Sequence, residues 1–465
     1  MKHSKVFLCF ICLILLCTSF TACQKESDVS NVPPNTHTIC IAERGKLSEF
    51  KLVYGSEDDE TSKLAAKLAN SLNASIDVSL SMRSDFFGDE EYPFEILMGV
   101  DNRPYCSELR KSLKKDEYVI KVITDTQNTK IIFEYKGVFA LMGAIDKFMS
   151  EYVDAENGVA AVPSDLEVRG SYSEKDAIIV SKLPRLRDPA ILVENGVYYA
   201  YGTNWLGFKN TSGDLKGEWE SLGVVATKPA DSDTNYWAPE VHKYNGAYYM
   251  FTTYHSTKTG HRGCTIMRSD SPEGPFVEIT NGHITPHDWD AIDGTFYVDP
   301  NGQPWMVFVH EWTCTDDGIG RMAAAKLSDD LTHFISEPVD LFRADDAPWA
   351  KGGITDGCWM YRCEDGQLLM LWSNRDKAGY CVGIARSADG RVDGEWTQDK
   401  ELLYSKDMPG AKYDGGHGML FYDLDGQMYL SIHSPNSSDV GRVETPIFIA
   451  VREQNGTLVW DLLKK

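Results

Sequence analysis

Five ionisable residues share one local context in this 465-residue chain: Asp188, Glu240, Asp293, Asp356 and His417. Each leads into an apolar run, then a tight turn (Asn195-Gly196, Asn245-Gly246, Asn301-Gly302, Asp365-Gly366, Asp425-Gly426), then a second apolar run. Asn-Gly and Asp-Gly between such runs predict β-hairpins with two-residue turns. The turns recur at intervals of 50, 56, 64 and 60 residues. Four carboxylates and an imidazole entering equivalent strands are groups that give and take protons. Facing one cavity, they are not what a packed core requires, because buried charge is costly.

The repeat supplies the elements that position them. Each hairpin is followed by a further strand and a closing phrase, such as Gly217-Glu-Trp219, Arg268 to Phe276, Lys326 to Leu331 and Gly394-Glu-Trp396. Three or four strands in each of five units of this period predict a β-propeller. The first strand of a blade lies nearest the axis, so the five side chains ring one mouth of the channel. The fold class expected is mainly β: a five-bladed β-propeller over residues 177–465, preceded by a small α/β domain over 39–170. In that first domain strands are expected at 50–54, 94–100, 118–123 and 130–135. Helices are expected at 60–72 and 138–152, where apolar residues recur at helical spacing. Residues 163–175 read as the linker.

The N-terminus carries an address. Lys2 and Lys5 precede an apolar run that ends at Thr-Ala-Cys23, the pattern of a signal peptide over 1–22. Ala22-Cys23 resembles a bacterial lipobox, with Phe20 departing from the usual aliphatic residue, and makes Cys23 the expected lipidation site. An ordinary secretory signal is the alternative. The Gln24 to Asp28 stretch resembles the acidic tag of Bacteroidetes surface lipoproteins. That implies an outer-membrane lipoprotein at the cell surface, or otherwise periplasmic, touching the membrane only through its lipid. Residues 23–38, with Pro33-Pro34, read as a tether. A net charge of −23 argues against a nucleic-acid partner. The cysteines lack C-x-x-C spacing, so buried free thiols are expected rather than a disulfide scaffold or zinc site.

Arg187-Asp-Pro189, Trp237-Ala-Pro-Glu240, Ala291-Ile-Asp293, Thr355-Asp-Gly357 and Gly416-His-Gly418, in this order, resemble glycoside hydrolase family 43 over about residues 177–462. The family comprises arabinofuranosidases, endo-arabinanases and xylosidases. The resemblance implies inverting hydrolysis of arabinose- or xylose-containing plant cell-wall glycan. That reaction needs one ionised carboxylate to activate water and one protonated carboxyl for the leaving oxygen. On this resemblance Asp188 is the base and Asp293 the carboxylate that raises the acid's pKa. Asp356 is the acid, although the family usually has Glu there. Asp sets the carboxyl back by about an ångström, so Glu311, which ends the second strand of its unit, is the second candidate. Trp237, Glu240, Trp205, Trp312, His255 and Arg375 are candidate substrate contacts. His417 matches a histidine that contacts water or a calcium ion through its waters; ordinary hydrogen bonding is the alternative. No cofactor is required, and a structural calcium near His417 is the one candidate ion. The rival readings are a propeller that binds glycan or protein without hydrolysis, and a family 130-like phosphorylase.

Overall fold

The computed structural model describes residues 37–461, apart from 57–58, 89 and 437–442. The signal segment, Cys23 and most of the tether lie outside the described residues. Thr38 already belongs to a strand, Thr38–Glu43. Among the described residues no helix is long and apolar enough to cross a membrane.

From residue 190 the chain folds into five consecutive antiparallel sheets, each following the order of its strands in sequence. The first is Ala190–Glu194, Val197–Gly202, Leu206–Asn210 and Glu220–Val224. The second runs Ser232–Tyr244, Ala247–Ser256, Arg262–Ser269 and Val277–Glu278. Ala291–Val298, Pro304–His310, Arg321–Lys326 and Val339–Arg343 form the third. The fourth is Asp356–Arg362, Leu368–Arg375, Tyr380–Ser387 and Trp396–Gln398. The fifth holds Gly416–Tyr422, Met428–Ser434 and Thr445–Gln454. The first strand of each sheet neighbours the first strand of the next, and that of the fifth neighbours that of the first. Five separate sheets thus stand in a ring, and no single sheet closes on itself. An earlier piece of chain completes it: Ile178–Val180 is the outer strand of the fifth sheet, with Ile178 opposite Ile449 and Val180 opposite Ile447.

Local chemistry explains the hairpins. Asn195 and Gly196 take φ of 51° and 80°, and Asn245 and Gly246 take 46° and 82°. That is the left-handed pair which matches the twist of two antiparallel strands. Large apolar side chains fill the wedges between sheets. Trp205 is wholly buried with Tyr201, Met250 and Phe276 between the first and second sheets. Its indole N–H donates to Thr252 Oγ1 at 2.6 Å, and its ring meets Tyr236 edge-on at 4.7 Å.

The N-terminal residues form a six-stranded mixed sheet in the order Ser81–Ser84, Lys51–Tyr54, Phe94–Met98, Thr129–Tyr135, Glu117–Thr124 and Glu167–Ser171. The helices are Asp59–Ile76, Pro104–Ser112 and Val138–Tyr152. Two details differ from the sequence reading. Pro104 opens a helix at its first turn, where its missing N–H costs nothing. The stretch expected as linker supplies an edge strand instead, Glu167–Ser171 pairing with 117–121. This layer packs directly on the later sheets. Tyr172 OH donates to Asp461 O at 2.9 Å, Arg452 pairs with Asp146, and one apolar cluster runs from Leu68 and Phe148 to Leu430 and Trp460.

Trp205→Ala empties a fully buried wedge and removes the donor to Thr252 Oγ1, which keeps its own bond to Trp237 O. It should lower unfolding free energy by about 3–5 kcal/mol in a urea titration. A loss below about 1 kcal/mol would contradict this packing.

Candidate active site

A left-handed residue stands just before or within the strand that opens each sheet. Asp188, Ala238, Asp293, Gly357 and His417 have φ of 54°, 42°, 56°, 35° and 56°. In the second to fifth sheets the register also slips there, between Trp237 and Glu240, Ile292 and Thr295, Asp356 and Trp359, and Gly416 and Met419. A bulge re-aims a side chain out of the alternation of a strand, and left-handed backbone costs a non-glycine residue of order 1 kcal/mol. The same unfavourable local geometry is therefore built at all five entrances. Only Asp188, Asp293 and His417 occupy the equivalent place. Glu240 lies two residues further in and Asp356 one residue earlier, so the five candidates are not one symmetric ring.

Asp188 is mostly shielded from solvent and lies beside two imidazoles. Its Oδ1 lies 3.4 Å from Nδ1 of His417 and 3.4 Å from Nδ1 of His433. Thr203 Oγ1 donates to its Oδ2 at 2.5 Å. Burial pushes the carboxyl up, but His417, Arg187 and the Thr203 hydroxyl more than offset this and hold it below the usual range. Asp293 accepts the Gly357 N–H at 2.9 Å and donates its own N–H to Thr253 Oγ1 at 3.0 Å. Burial pushes its carboxyl up to about 6, with Asp188 and Glu311 acting in the same direction. Asp356 accepts a hydrogen bond from Tyr380 OH at 3.1 Å, and burial together with Asp293 pushes it up to about 7. His417 Nδ1 is 3.8 Å from Asp293 Oδ2. Burial would lower its pKa, but Asp188, Asp293, Glu240 and Asp356 together raise it.

Glu311 stands in a different setting. Arg262 Nε donates to it at 2.7 Å, and the same guanidinium lies 3.3 Å from Asp290. Burial still raises its pKa, so the ion pair only partly compensates for desolvation.

His433 had no place in the sequence reading. It is buried and neutral, its pKa lowered to about 4 by burial. Its Nδ1 accepts the Asp188 N–H at 3.3 Å, while Nε2 faces Asn436 Oδ1 at 3.0 Å, a bond that Nε2–H donates. Asn436 Oδ1 also accepts from Arg187 at 2.9 Å. A repeat signal was available: His433 stands near the end of the second strand of its sheet, as His255 and Arg375 do in theirs.

The candidate substrate contacts separate on burial. Trp205 is corrected, since a fully buried ring bonded to Thr252 offers no face to a sugar. Trp237 and Trp312 are half-buried, and the Arg262 guanidinium sits 5.7 Å over the Trp237 ring. His255 Nδ1 is 2.8 Å from Asp233, and Arg375 is exposed. Glu240 is buried, accepting from Thr295 Oγ1 at 2.6 Å and lying 3.1 Å from His242 Nε2. Among the described residues three donors converge only at Cys363, Asp365 and Glu453, near the turn end of the fourth sheet. A groove of about 920 Å³ opens at the turn ends of the third and fourth sheets, at the far ends of the strands from the acids. Its polar groups are engaged within the fold, Asp299 with Trp305 and Gln303, and Arg362 with Gly366 O and Gly390 O.

Several known proteins are similar to this chain over its later residues. The chain is 26% identical over 147 residues to extracellular endo-α-(1→5)-L-arabinanase 1 of Bacillus subtilis, covering 28% of this chain and 44% of that protein. It is 26% identical over 217 residues to a probable arabinan endo-1,5-α-L-arabinosidase C of Aspergillus niger, 43% of this chain and 63% of the relative. The chain therefore spans less than two thirds of the length of these relatives. Among solved structures, an endo-arabinase from Bacteroides thetaiotaomicron is 38% identical, with a TM-score of 0.53, over 62% of this chain and 99% of that one. A thermostable family-43 glycoside hydrolase shares the fold at 21% identity and a TM-score of 0.54, over 61% of this chain and 94% of that one. With the model for glycosyl hydrolases family 43 matching residues 182–448, the chain belongs to that family.

Proposed function

We propose that the chain is an inverting glycoside hydrolase acting on arabinose- or xylose-containing plant polysaccharides or oligosaccharides. The names of its relatives favour arabinan. The five sheets are read as a five-bladed propeller, residues 177–465, carrying the chemistry. Residues 39–170 are read as an accessory α/β domain that buttresses the fourth and fifth blades.

One arrangement carries the reading: Asp188 lies 3.4 Å from His417 Nδ1 and accepts from Thr203, which favours its carboxylate, while burial and the neighbouring Asp293 push Asp356 up to about 7. Divergent ionisation of neighbouring carboxyls is what acid–base catalysis needs. Asp188 takes a proton from water, and the water oxygen bonds to the anomeric carbon. Asp356 gives its proton to the departing oxygen as the glycosidic bond breaks. Asp293, with its N–H and one oxygen tied to the backbone and Thr253, keeps negative charge beside the acid. Glu311 is the weaker donor, because its carboxylate is paired with Arg262. The rivals find less support. A binding propeller needs no such split, and the arginines beside the acids, Arg187 and Arg262, are both paired with carboxylates rather than free for phosphate.

By its N-terminal sequence the chain is also proposed to be a lipoprotein anchored at Cys23, with the plant glycan as partner. Cys23→Ala should move the protein from the membrane fraction to the soluble one; retention would refute lipidation.

Activity is tested on arabinan, aryl arabinofuranosides and aryl xylosides. Asp188→Asn should lose about 10²–10⁴-fold on every substrate. Asp356→Asn should lose similarly on arabinan but less than about tenfold on a nitrophenyl glycoside, whose leaving group departs without a proton. Glu311→Gln showing that leaving-group dependence instead would reassign the donor.

The pH profile follows from the same pair. Asp188 is ionised above its lowered pKa and Asp356 protonated below about 7. Thus kcat/KM should fall as pH rises through about 7, and should also decline below about 6 as Asp293 gains a proton. Asp356→Asn should abolish that alkaline fall; its persistence would assign the limb to another group.

A further inference from the structure

Tyr380 begins the third strand of the fourth sheet, a strand remote from the ring of opening strands, yet its side chain reaches the acids. Its hydroxyl donates to Asp356 Oδ2 at 3.1 Å. Its ring stacks on His433, with centroids 5.7 Å apart and planes at 26°. His433 in turn accepts the backbone N–H of Asp188. One aromatic ring therefore lies between the support of the proposed base and the carboxyl of the proposed acid. Its own backbone is tied down: Tyr380 N–H donates to Asp414 at 3.2 Å, and Tyr380 O accepts from Gly415 at 3.0 Å. The passage for the ring exists because residue 416 is glycine. A Cβ there would stand 2.5 Å from Tyr380 Cε1.

We infer that Tyr380 is the positioning residue that adapts this site to an aspartate acid. Its hydroxyl fills the recess left by the shorter side chain and engages Oδ2, so that the transferable proton resides on Oδ1. The inference rests on Asp356 being the acid. A carboxylic acid carries its proton on one oxygen, and an oxygen already accepting a hydrogen bond serves as the carbonyl partner. Tyr380 keeps its own proton throughout, since burial and the neighbouring Asp356, Asp188 and Asp293 carboxyls hold its pKa far above the usual range. The charged or titratable groups facing Asp356 are Asp293, His417, Tyr380 and Asp188. The Arg187 charge acts on the Tyr380 hydroxyl in the opposite sense to these carboxylates. A hydroxyl donating to a carboxyl favours its ionised form, so its removal must raise the Asp356 pKa.

Tyr380→Phe retains the ring and removes this bond. Turnover of arabinan should fall about tenfold, while turnover of a nitrophenyl glycoside stays within about twofold. The alkaline limb of kcat/KM should move up by roughly half to one pH unit. A purely packing role would lower both substrates alike and leave the limb in place, and that result overturns the inference. A readout independent of substrate is pH-difference infrared spectroscopy of the Asp356 carboxylic C=O band, assigned by its loss in Asp356→Asn. An upward shift of its midpoint in Tyr380→Phe supports the inference, and an unchanged midpoint overturns it. If the unmodified protein cleaves neither arabinan nor aryl glycosides, the hydrolase reading fails while the infrared midpoint still decides the role of Tyr380.

Discussion

Asp188, Asp293 and Asp356 converge out of water, with the His417 imidazole lying between the first two, and this charge imbalance governs the rest of the site. Two like charges about 4 Å apart repel by roughly 4 kcal/mol at an effective dielectric of about 20. Three ionised carboxylates in one desolvated mouth are thus disfavoured, and the proton settles where compensation is poorest. Asp188 has His417, Arg187 and the Thr203 hydroxyl. Asp293 has His417 and the Gly357 N–H. Asp356 has the Tyr380 hydroxyl and only a more distant His417, and it is the carboxyl driven furthest toward neutrality. The proposed division of labour between base and acid follows from unequal solvation of chemically identical groups.

That imbalance has to be held open by the fold, and the opening strands do so. A left-handed residue recurs just before or within each, with a bulge beside it in four of the five sheets. An unfavourable backbone repeated five times is tolerated because the sheets on either side over-determine it. Where chemistry is not carried, the same geometry is occupied by Ala238 and Gly357. Gly357 has a second reason to lack a side chain, since a Cβ there would stand 2.7 Å from the His417 ring. The hairpin turns and the Ile178–Val180 strand that completes the fifth sheet lock the ring which keeps these entrances in register.

Much of this was legible from residue order. The turn pairs recur at a regular period and fold as hairpins. The helix expected at 138–152 is present with those limits, and that expected at 60–72 extends to Asp59–Ile76. Asp188 and Asp293, at equivalent places in their repeats, both lie within 3.8 Å of His417. What escaped depended on tertiary reach rather than local pattern. Glu167–Ser171 looks like a connector because an edge strand shows little apolar alternation. Trp205 and Trp237 read alike in sequence, yet one is a core wedge and the other borders the mouth. Tyr380 and His433 lie on strands other than the opening ones. Their roles arise from the absent side chain of Gly416 and from the Asn436 bond, neither of which has a periodic signature.

The central claim is that Asp188 activates a water while Asp356 releases the leaving group, without a covalent intermediate. Proton NMR of the first-formed sugar, recorded before mutarotation, reads this directly. The account predicts that α-linked arabinofuranoside yields the β-anomer first, equilibrating afterwards. Initial release of the α-anomer would mean double displacement, and would contradict the roles assigned to both carboxyls.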